Sequence, residues 1–375
     1  MPETDHTEGL NNLWSQTVRY MIDSGINAVQ TQEALARIRN EDVTIADTPS
    51  EVVFRSDKVT LSRYTPVTDL RKDVPPVMIT YGIFGRQTMI DLQEGRSLVR
   101  NLLDAGLDVY VVDWGNPTRA DRYTTLDDLI CGYLKDCAEF LVEKHDGKPI
   151  TLFGICEGGT FAACLAALEP QLFQGLAISI TPIDFKGNPD EFWEGEGFLN
   201  LWIQNLDEAD INKLVDTYGN MPGELSGAMF SALTPINSMT KYSLGLARLK
   251  DDEAKMMNFL RMEKWIADRP DHPGEAAKQW FNDLYRENQL TEGKMVLDGR
   301  IVDLRDIKCE VLNIFALKDH IVPVSCSKPM GDFIPEDRYT EIGFPGGHVG
   351  VFVSSKAQGV VAGGFIDWMD AKQKT

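Results

Sequence analysis

The sequence lacks several features that would assign a protein to a class at once. No apolar run reaches the roughly eighteen residues that a transmembrane helix needs, so we expect no membrane span. Positive charge is scarce, with 37 Lys and Arg against 57 Asp and Glu and a formal net charge of −20. Because such a surface repels nucleic acids at long range, we expect no nucleic-acid partner, and an anionic substrate would need a local basic site.

Cysteine and histidine are also sparse. The six cysteines show no C-x-x-C pairing, and the five histidines form no spacing typical of metal ligands, so we expect no metal and no cofactor. The first eight residues are acidic and polar, unlike a secretory signal. A reducing cytoplasm suits this cysteine usage. The cysteines are Cys131, Cys137, Cys156, Cys164, Cys309 and Cys326.

Apolar, β-favouring segments alternate with helical ones over residues 51–181 and again over 306–375. The pattern predicts an α/β core with a doubly wound, mostly parallel sheet. Residues 52–54 and 59–63 predict a hairpin at the sheet edge. Asp91 followed by Glu94, and Thr125 followed by Asp128, predict the N-terminal caps of two helices.

Two segments depart from this alternation. Residues 1–50 have apolar positions at helical spacing and predict a helix that either packs on the core or docks a partner. Residues 182–305 are rich in Trp, Met and helical patterns and predict a lid or cap insertion. Its aromatic and Met side chains either form the core of a helical subdomain or line an entrance for a greasy ligand.

The most informative segment runs through Cys156. An apolar strand pattern ends in Gly154-Ile-Cys-Glu-Gly158, and a small-residue helical pattern follows. Strand, sharp turn and helix with the nucleophile at the tip is the layout of the nucleophile elbow. Backbone N–H groups at a helix start favour a thiolate. By itself a G-x-C-x-G pattern is weak, because a buried structural cysteine in a glycine-rich turn gives the same signal.

Two residues further along the chain support a catalytic interpretation. Asp319 follows a predicted strand that starts at Val311, and His348 lies in a glycine-rich loop after a short strand at 339–342. The order nucleophile, acid, histidine is that of α/β-hydrolases. Asp113 also ends a predicted strand, but its early position argues against a role as the triad acid. We expect the oxyanion hole to use the backbone N–H groups of Glu157 and Ile83.

Over nearly its whole length the chain resembles the catalytic subunit of class III poly(3-hydroxyalkanoate) synthases. The most specific pieces are Gly154-Ile-Cys-Glu-Gly-Gly159, Asp319-His-Ile-Val-Pro323 and Phe344-Pro-Gly-Gly-His348, and further likeness lies at 91–97, 108–115 and 269–273. The resemblance implies an α/β-hydrolase fold and condensation of (R)-3-hydroxyacyl-CoA, for example 3-hydroxybutyryl-CoA, into polyester with release of CoA.

The resemblance also implies roles for single residues. Cys156 is the nucleophile that holds the chain, His348 deprotonates it, and Asp319 orients His348 or helps activate the substrate 3-hydroxyl. Glu157 stands where many relatives would have glutamine, which puts a carboxyl beside the thiol. A second synthase subunit, self-association and a cytoplasmic place at the surface of a storage granule are implied as well.

The chemistry of cysteine independently favours acyl transfer. A thiol that attacks an acyl-CoA exchanges one thioester for another, so the acyl group stays activated for attack by an alcohol, provided that water is kept out. Arg86 is a candidate for a CoA phosphate, although a surface ion pair is an equal alternative, and His320 is a candidate hydrogen bonder beside Asp319. Two other functions stay open: a cysteine hydrolase of the same fold, and a non-catalytic scaffold on granules.

Overall fold

The computed structural model describes residues 35, 38, 40–188, 197–233, 245, 248–249 and 251–372. Most of the helix predicted within residues 1–50 and the aromatic pair at 192–193 lie outside the described residues. The chain divides into two compact units. The smaller unit combines residues 1–44 with 234–264, and the larger combines residues 45–233 with 265–375. In the smaller unit, Lys264 Nζ donates to the Val43 carbonyl oxygen at 2.6 Å, and Arg261 Nε donates to that of Thr44 at 2.9 Å.

The larger unit is built on an eight-stranded sheet in the order β1-β2-β6-β3-β7-β8-β11-β12. Strands β6, β3, β7, β8, β11 and β12 run parallel, while the hairpin β1–β2 joins antiparallel at the edge, as predicted. The strands are β1 (Ser50–Ser56), β2 (Val59–Tyr64), β3 (Val77–Thr80), β4 (Asp91–Gln93), β5 (Arg96–Ser97), β6 (Val109–Asp113), β7 (Ile150–Ile155), β8 (Phe173–Ser179), β9 (Val296–Leu297), β10 (Arg300–Ile301), β11 (Glu310–Ala316) and β12 (Tyr339–Phe344).

Helices cover the sheet and fill most of the described part of the predicted insertion. The α-helices are α1 (Leu98–Asp104), α2 (Lys135–Lys144), α3 (Glu157–Leu168), α4 (Phe198–Gln204), α5 (Glu208–Tyr218), α6 (Gly223–Ala232), α7 (Glu253–Ala267), α8 (Gly274–Gln279), α9 (Val324–Ser327), α10 (Gly350–Val353), α11 (Ser355–Ala357) and α12 (Gly363–Lys372). π-helical turns are Asp128–Leu134, Trp280–Arg286 and Gln358–Ala362. Among the described residues, no helix combines the length and the apolar composition needed to cross a membrane.

One of the two predicted caps is wrong. Helix α1 begins after Ser97, whose hydroxyl accepts the Arg100 N–H at 2.9 Å. Asp91 lies instead in β4, where its buried carboxylate accepts the hydroxyls of Thr48 and Ser97. The other cap is confirmed, since the Asp128 carboxylate accepts the Thr125 N–H at 2.8 Å. Both sequences carry a cap signature, but only tertiary contacts decide which residue is used.

The central strands position the three candidate catalytic residues. Strand β7 is buried along its whole length and ends one residue before Cys156. Strands β11 and β12 pair in parallel register and end shortly before Asp319 and His348. Because the carboxyl ends of parallel strands meet at one edge of a sheet, residues far apart in sequence converge there.

Candidate active site

Cys156 lies at a sharp turn between β7 and α3. Its backbone has φ 54° and ψ −126°, a region that non-glycine residues rarely adopt. The turn is held by hydrogen bonds from the Cys156 N–H to the Ser179 oxygen and from the Gly159 N–H to the Cys156 oxygen, each 2.9 Å. A Cβ on Gly158 would lie 2.6 Å from the Thr80 carbonyl oxygen, so only glycine lets the helix approach β3 this closely. Backbone strain at such a turn is typical of a nucleophile elbow.

Asp319 and His348 form a buried, oriented pair. His348 Nδ1 lies 2.8 Å from Asp319 Oδ2. The other carboxylate oxygen accepts the N–H groups of Ile321 and Val322 at 2.9 and 3.0 Å, so the carboxylate cannot rotate freely. Because Nδ1 is directed at Asp319, the imidazole presents Nε2 to its other neighbour.

That neighbour is Cys156, whose side chain lies close enough to raise the pKa of His348. Burial lowers the pKa of His348, but the charges of Asp319 and Cys156 and the hydrogen bonds to both outweigh burial and raise it to about 10. The imidazole is therefore stabilised as a cation between a carboxylate and a sulfur that can carry negative charge. This arrangement is suited to a thiolate–imidazolium pair, the reactive form of a cysteine nucleophile.

One of the two predicted oxyanion donors already has an acceptor. The Ile83 N–H donates to Glu157 Oε2 at 2.6 Å, so in this structure a carboxylate already occupies that donor. Glu157 is the first residue of α3, and its side chain turns back beneath the loop that follows β3. An oxyanion role for Ile83 therefore requires Glu157 to give up this hydrogen bond. The sequence could not show it, because the two residues are 74 positions apart.

An apolar pocket opens beside Cys156. Its walls come from the loop after β3, the elbow, the helices of the predicted insertion and the segment after Asp319. Of the aromatic and Met side chains of the predicted insertion, the pairs Met229-Phe230 and Trp280-Phe281 line it. The lining residues are Phe84, Cys156, Glu157, Pro182, Leu199, Ser226, Met229, Phe230, Trp280, Phe281, Tyr285, Ile321 and Val322.

Comparison with known proteins finds a matching family model and close relatives of this chain. Residues 75–355 match the family model of the alpha/beta hydrolase fold. The chain is 40% identical to the poly(3-hydroxyalkanoate) polymerase subunit PhaC of Synechocystis sp. over 91% of this chain and 89% of that protein. It is 41% identical to that of Allochromatium vinosum, covering 94% and 96%, and 40% identical to that of Thiocystis violacea, covering 86% and 88%.

The chain belongs to the PhaC polymerase family. This membership, within the alpha/beta hydrolase fold, confirms the family and the fold class predicted from the sequence. The family is one of polymerases, whereas the matched fold is shared with many unrelated enzymes, so the family rather than the fold indicates the reaction.

Of the weaker candidates, Arg86 and Asp113 have other partners in this chain. Arg86 forms an ion pair with Asp268 at 3.1 Å and donates to the Gly115 oxygen at 2.9 Å, which is the alternative weighed against a phosphate site. His320 is half-buried beside Asp319, and burial lowers its pKa. Asp113 accepts the Gly115 N–H at 2.8 Å, whereas Asp319 is the carboxylate that bonds His348. Among the described residues, no three His, Cys, Asp or Glu side chains are grouped to hold a metal ion.

Sequence reasoning missed one residue of this site. His272 is buried, with its Nε2 2.7 Å from Glu157 Oε1. The only signal was its place between Asp271 and Pro273 in a segment that resembles the family. Its partner lies 115 positions away, beyond the reach of a local pattern.

Proposed function

We propose that this chain polymerises (R)-3-hydroxyacyl-CoA into polyhydroxyalkanoate through a thioester on Cys156. Membership in the PhaC family supports the polymerising acyl transfer. The covalent route is supported by one observation above all: a cysteine at a strained elbow, beside a histidine that Asp319 orients. A non-catalytic scaffold on granules would not need this arrangement of cysteine, histidine and aspartate.

Acylation of Cys156 follows from the charges at the site. The sulfur of Cys156 attacks the thioester carbonyl, a new C–S bond forms, and the C–S bond to CoA breaks. The proton held on His348 passes to the departing CoA sulfur. Since one thioester replaces another, the acyl group remains activated on the protein.

Elongation requires an alcohol rather than a thiol. The 3-hydroxyl of another unit attacks the thioester carbon on Cys156, a C–O bond forms, and the bond to sulfur breaks. His348, now neutral, takes the hydroxyl proton while Asp319 holds the imidazole in place. The apolar pocket limits water, which would otherwise release a free hydroxy acid.

The setting of the reaction is proposed on the resemblance to two-subunit synthases. We infer a second synthase subunit, self-association or both, and a cytoplasmic location at the granule surface. A partner subunit would increase the rate of CoA release. The isolated chain should therefore show a lag in CoA release, and adding extract of the native host should remove the lag. Full rate without a lag, and no protein co-purifying from that host, would contradict the need for a partner.

The experiment that tests the function uses the purified full chain and (R)-3-hydroxybutyryl-CoA. Release of CoA is followed while the product is separated into polymer and free 3-hydroxybutyrate. We expect polymer, with CoA released in proportion to the units incorporated. Free hydroxy acid as the sole product would instead show a cysteine hydrolase of the same fold, and no CoA release with or without extract would show a non-catalytic protein.

A further inference from the structure

A second pair of buried ionisable side chains lies next to the nucleophile. Glu157 Oε1 and His272 Nε2 are 2.7 Å apart, and each side chain is only 1% exposed. Glu157 begins α3, directly after Cys156, and His272 lies in the segment that leads into α8. The route of acyl transfer described above uses neither side chain. Burying two such groups is costly unless their hydrogen bonds are satisfied, so the pair calls for an explanation.

Both carboxylate oxygens of Glu157 are in use. Oε1 faces His272, while Oε2 accepts the Ile83 N–H at 2.6 Å and the Phe84 N–H at 3.4 Å. A Cβ on Gly82 would lie 2.8 Å from Glu157 Cβ, so the loop runs directly against this side chain. The carboxyl group therefore joins the loop after β3 to His272.

His272 is itself fixed at several points. Its backbone exchanges two hydrogen bonds of 2.9 Å with Met221, and its ring packs on Phe84 with centroids 4.7 Å apart. Its Nδ1 lies 3.2 Å from the Pro273 carbonyl oxygen. Phe84 is also held from its carbonyl side, because Arg269 Nη1 donates to the Phe84 oxygen at 3.1 Å. The loop that forms one wall of the acyl pocket is thus fastened on both sides.

The protons of the pair can be counted from its partners. A carbonyl oxygen only accepts, so the contact with Pro273 is a hydrogen bond in the tautomer that carries a proton on Nδ1 of His272. Nε2 then either donates to a carboxylate, giving imidazolium and carboxylate, or accepts from a carboxylic acid, giving two neutral groups. In both cases the pair has zero net charge. Glu157 therefore adds no net negative charge beside the Cys156 sulfur.

We propose that Glu157 and His272 are positioning residues for acyl transfer: the neutral pair fixes the loop Gly82–Phe84 against the elbow without opposing the thiolate. This inference rests on the proposed function, since the loop matters for an acyl group bound at Cys156. It separates two properties of the site. Loading of an acyl group depends on the position of the pocket wall, whereas the intrinsic reactivity of the thiolate depends on His348.

The test compares two reactions of Cys156 in the full-length chain. Single-turnover acylation is measured with saturating (R)-3-hydroxybutyryl-CoA, and intrinsic reactivity is measured with iodoacetamide, which needs neither the pocket wall nor an oxyanion donor. Glu157→Ala should slow acylation by at least about tenfold, because a displacement of about 1 Å can cost roughly a hundredfold in rate. Its alkylation rate should stay close to that of wild type. Glu157→Gln should restore acylation, since an amide can accept from Ile83 and donate to a neutral His272.

Folding of each variant is checked by its thermal unfolding midpoint. If Glu157→Ala does not fold, the double variant Glu157→Gln/His272→Ala takes its place, because it leaves no buried charge unpaired; it should acylate at least about tenfold more slowly than Glu157→Gln. If the variant tested, Glu157→Ala or the double variant, is acylated at the rate of Glu157→Gln, the proposal is overturned. A parallel loss of acylation and alkylation in that variant would overturn it as well. Failure of the proposed function looks different: without the covalent route wild type itself would be alkylated but not acylated, and a hydrolase would be acylated but release free hydroxy acid instead of polymer.

Discussion

His348 Nδ1 lies 2.8 Å from Asp319 Oδ2, and the carboxylate of Asp319 is fully buried. Asp319 receives two backbone N–H groups on its other oxygen, so the imidazole is held by a rigid partner. This contact sets the direction of Nε2 and contributes to the raised pKa of His348. Asp319 follows β11 and His348 follows the neighbouring parallel strand β12. The order of the strands therefore brings the two residues together beside Cys156.

Replacement of the nucleophile tests the role of the elbow. Cys156→Ala should abolish CoA release from (R)-3-hydroxybutyryl-CoA and leave the fold intact, because alanine removes only the sulfur. Cys164→Ala is the matched control: Cys164 is fully buried in α3, so its loss should lower the unfolding midpoint more than the rate. Turnover by Cys156→Ala at a rate near wild type would contradict the assignment.

The raised pKa of His348 predicts a distinctive pH profile. The folded-state value of about 10 lies above the ordinary 6.5, so the imidazolium is present at neutral pH and is lost only as the pH rises through about 10. Because this imidazolium favours the thiolate beside it, alkylation of Cys156 by iodoacetamide should rise less steeply between about pH 7 and pH 9 than alkylation of a free thiol with a pKa of about 8.5. In His348→Gln the rate at neutral pH should fall and its dependence on pH should steepen. Identical profiles in the two proteins would assign thiolate formation to the helix start alone.

The role of Asp319 can be divided between the two steps. Thiolate formation is easy near neutral pH, while removal of a proton from an alcohol is far harder. Asp319→Asn should therefore still load one acyl unit on Cys156 with an early release of CoA, followed by very slow chain growth. Rapid-quench measurement of CoA release, with mass spectrometry of the Cys156 peptide, checks this. Equal loss of both steps would mean that Asp319 acts only by orienting His348.

A stability prediction concerns Glu169, which directly follows α3 at the end away from the elbow. Burial raises the pKa of Glu169, but hydrogen bonds from Arg300, Lys135 and Gln171 outweigh burial and lower it from 4.5 to about 2. A lowered carboxyl pKa stabilises the fold above pH 4.5, and that contribution is lost as the pH falls towards 2. Glu169→Gln should therefore reduce the free energy of unfolding near neutral pH by about 1 kcal/mol, as for a good surface ion pair. Urea unfolding of both proteins should show this difference shrinking below about pH 4.5; a constant difference would contradict it.

Local sequence signals predicted most of the fold. The strand β7 and the helix α3 could be predicted from an apolar run followed by small residues, because every position of that strand is buried. The edge hairpin and the Thr125–Asp128 cap are local as well. The wrong cap at Asp91 shows the limit, since one of the two side chains that Asp91 binds, Thr48, lies 43 positions away.

The candidate site was predictable where chain order carries information. Cys156, Asp319 and His348 follow strand ends in the order of the fold, so their convergence could be inferred. The pairing of Glu157 with His272, and its effect on the Ile83 N–H, could not be inferred, because that depends on how a loop of the insertion packs against the elbow. Such contacts are specified by tertiary packing rather than by periodicity.

The central claim is that the growing acyl chain is bound to Cys156 as a thioester. The purified chain is mixed with (R)-3-hydroxybutyryl-CoA, quenched in acid within the first turnover, digested and examined by mass spectrometry, with Cys156→Ala treated in parallel. We predict that the peptide containing Cys156 gains the mass of one or more 3-hydroxybutyryl units, that hydroxylamine removes them, and that peptides with other cysteines stay unmodified. Polymer formed by wild type with no acyl group on Cys156 at any time, or formed by Cys156→Ala at the wild-type rate, would contradict the claim.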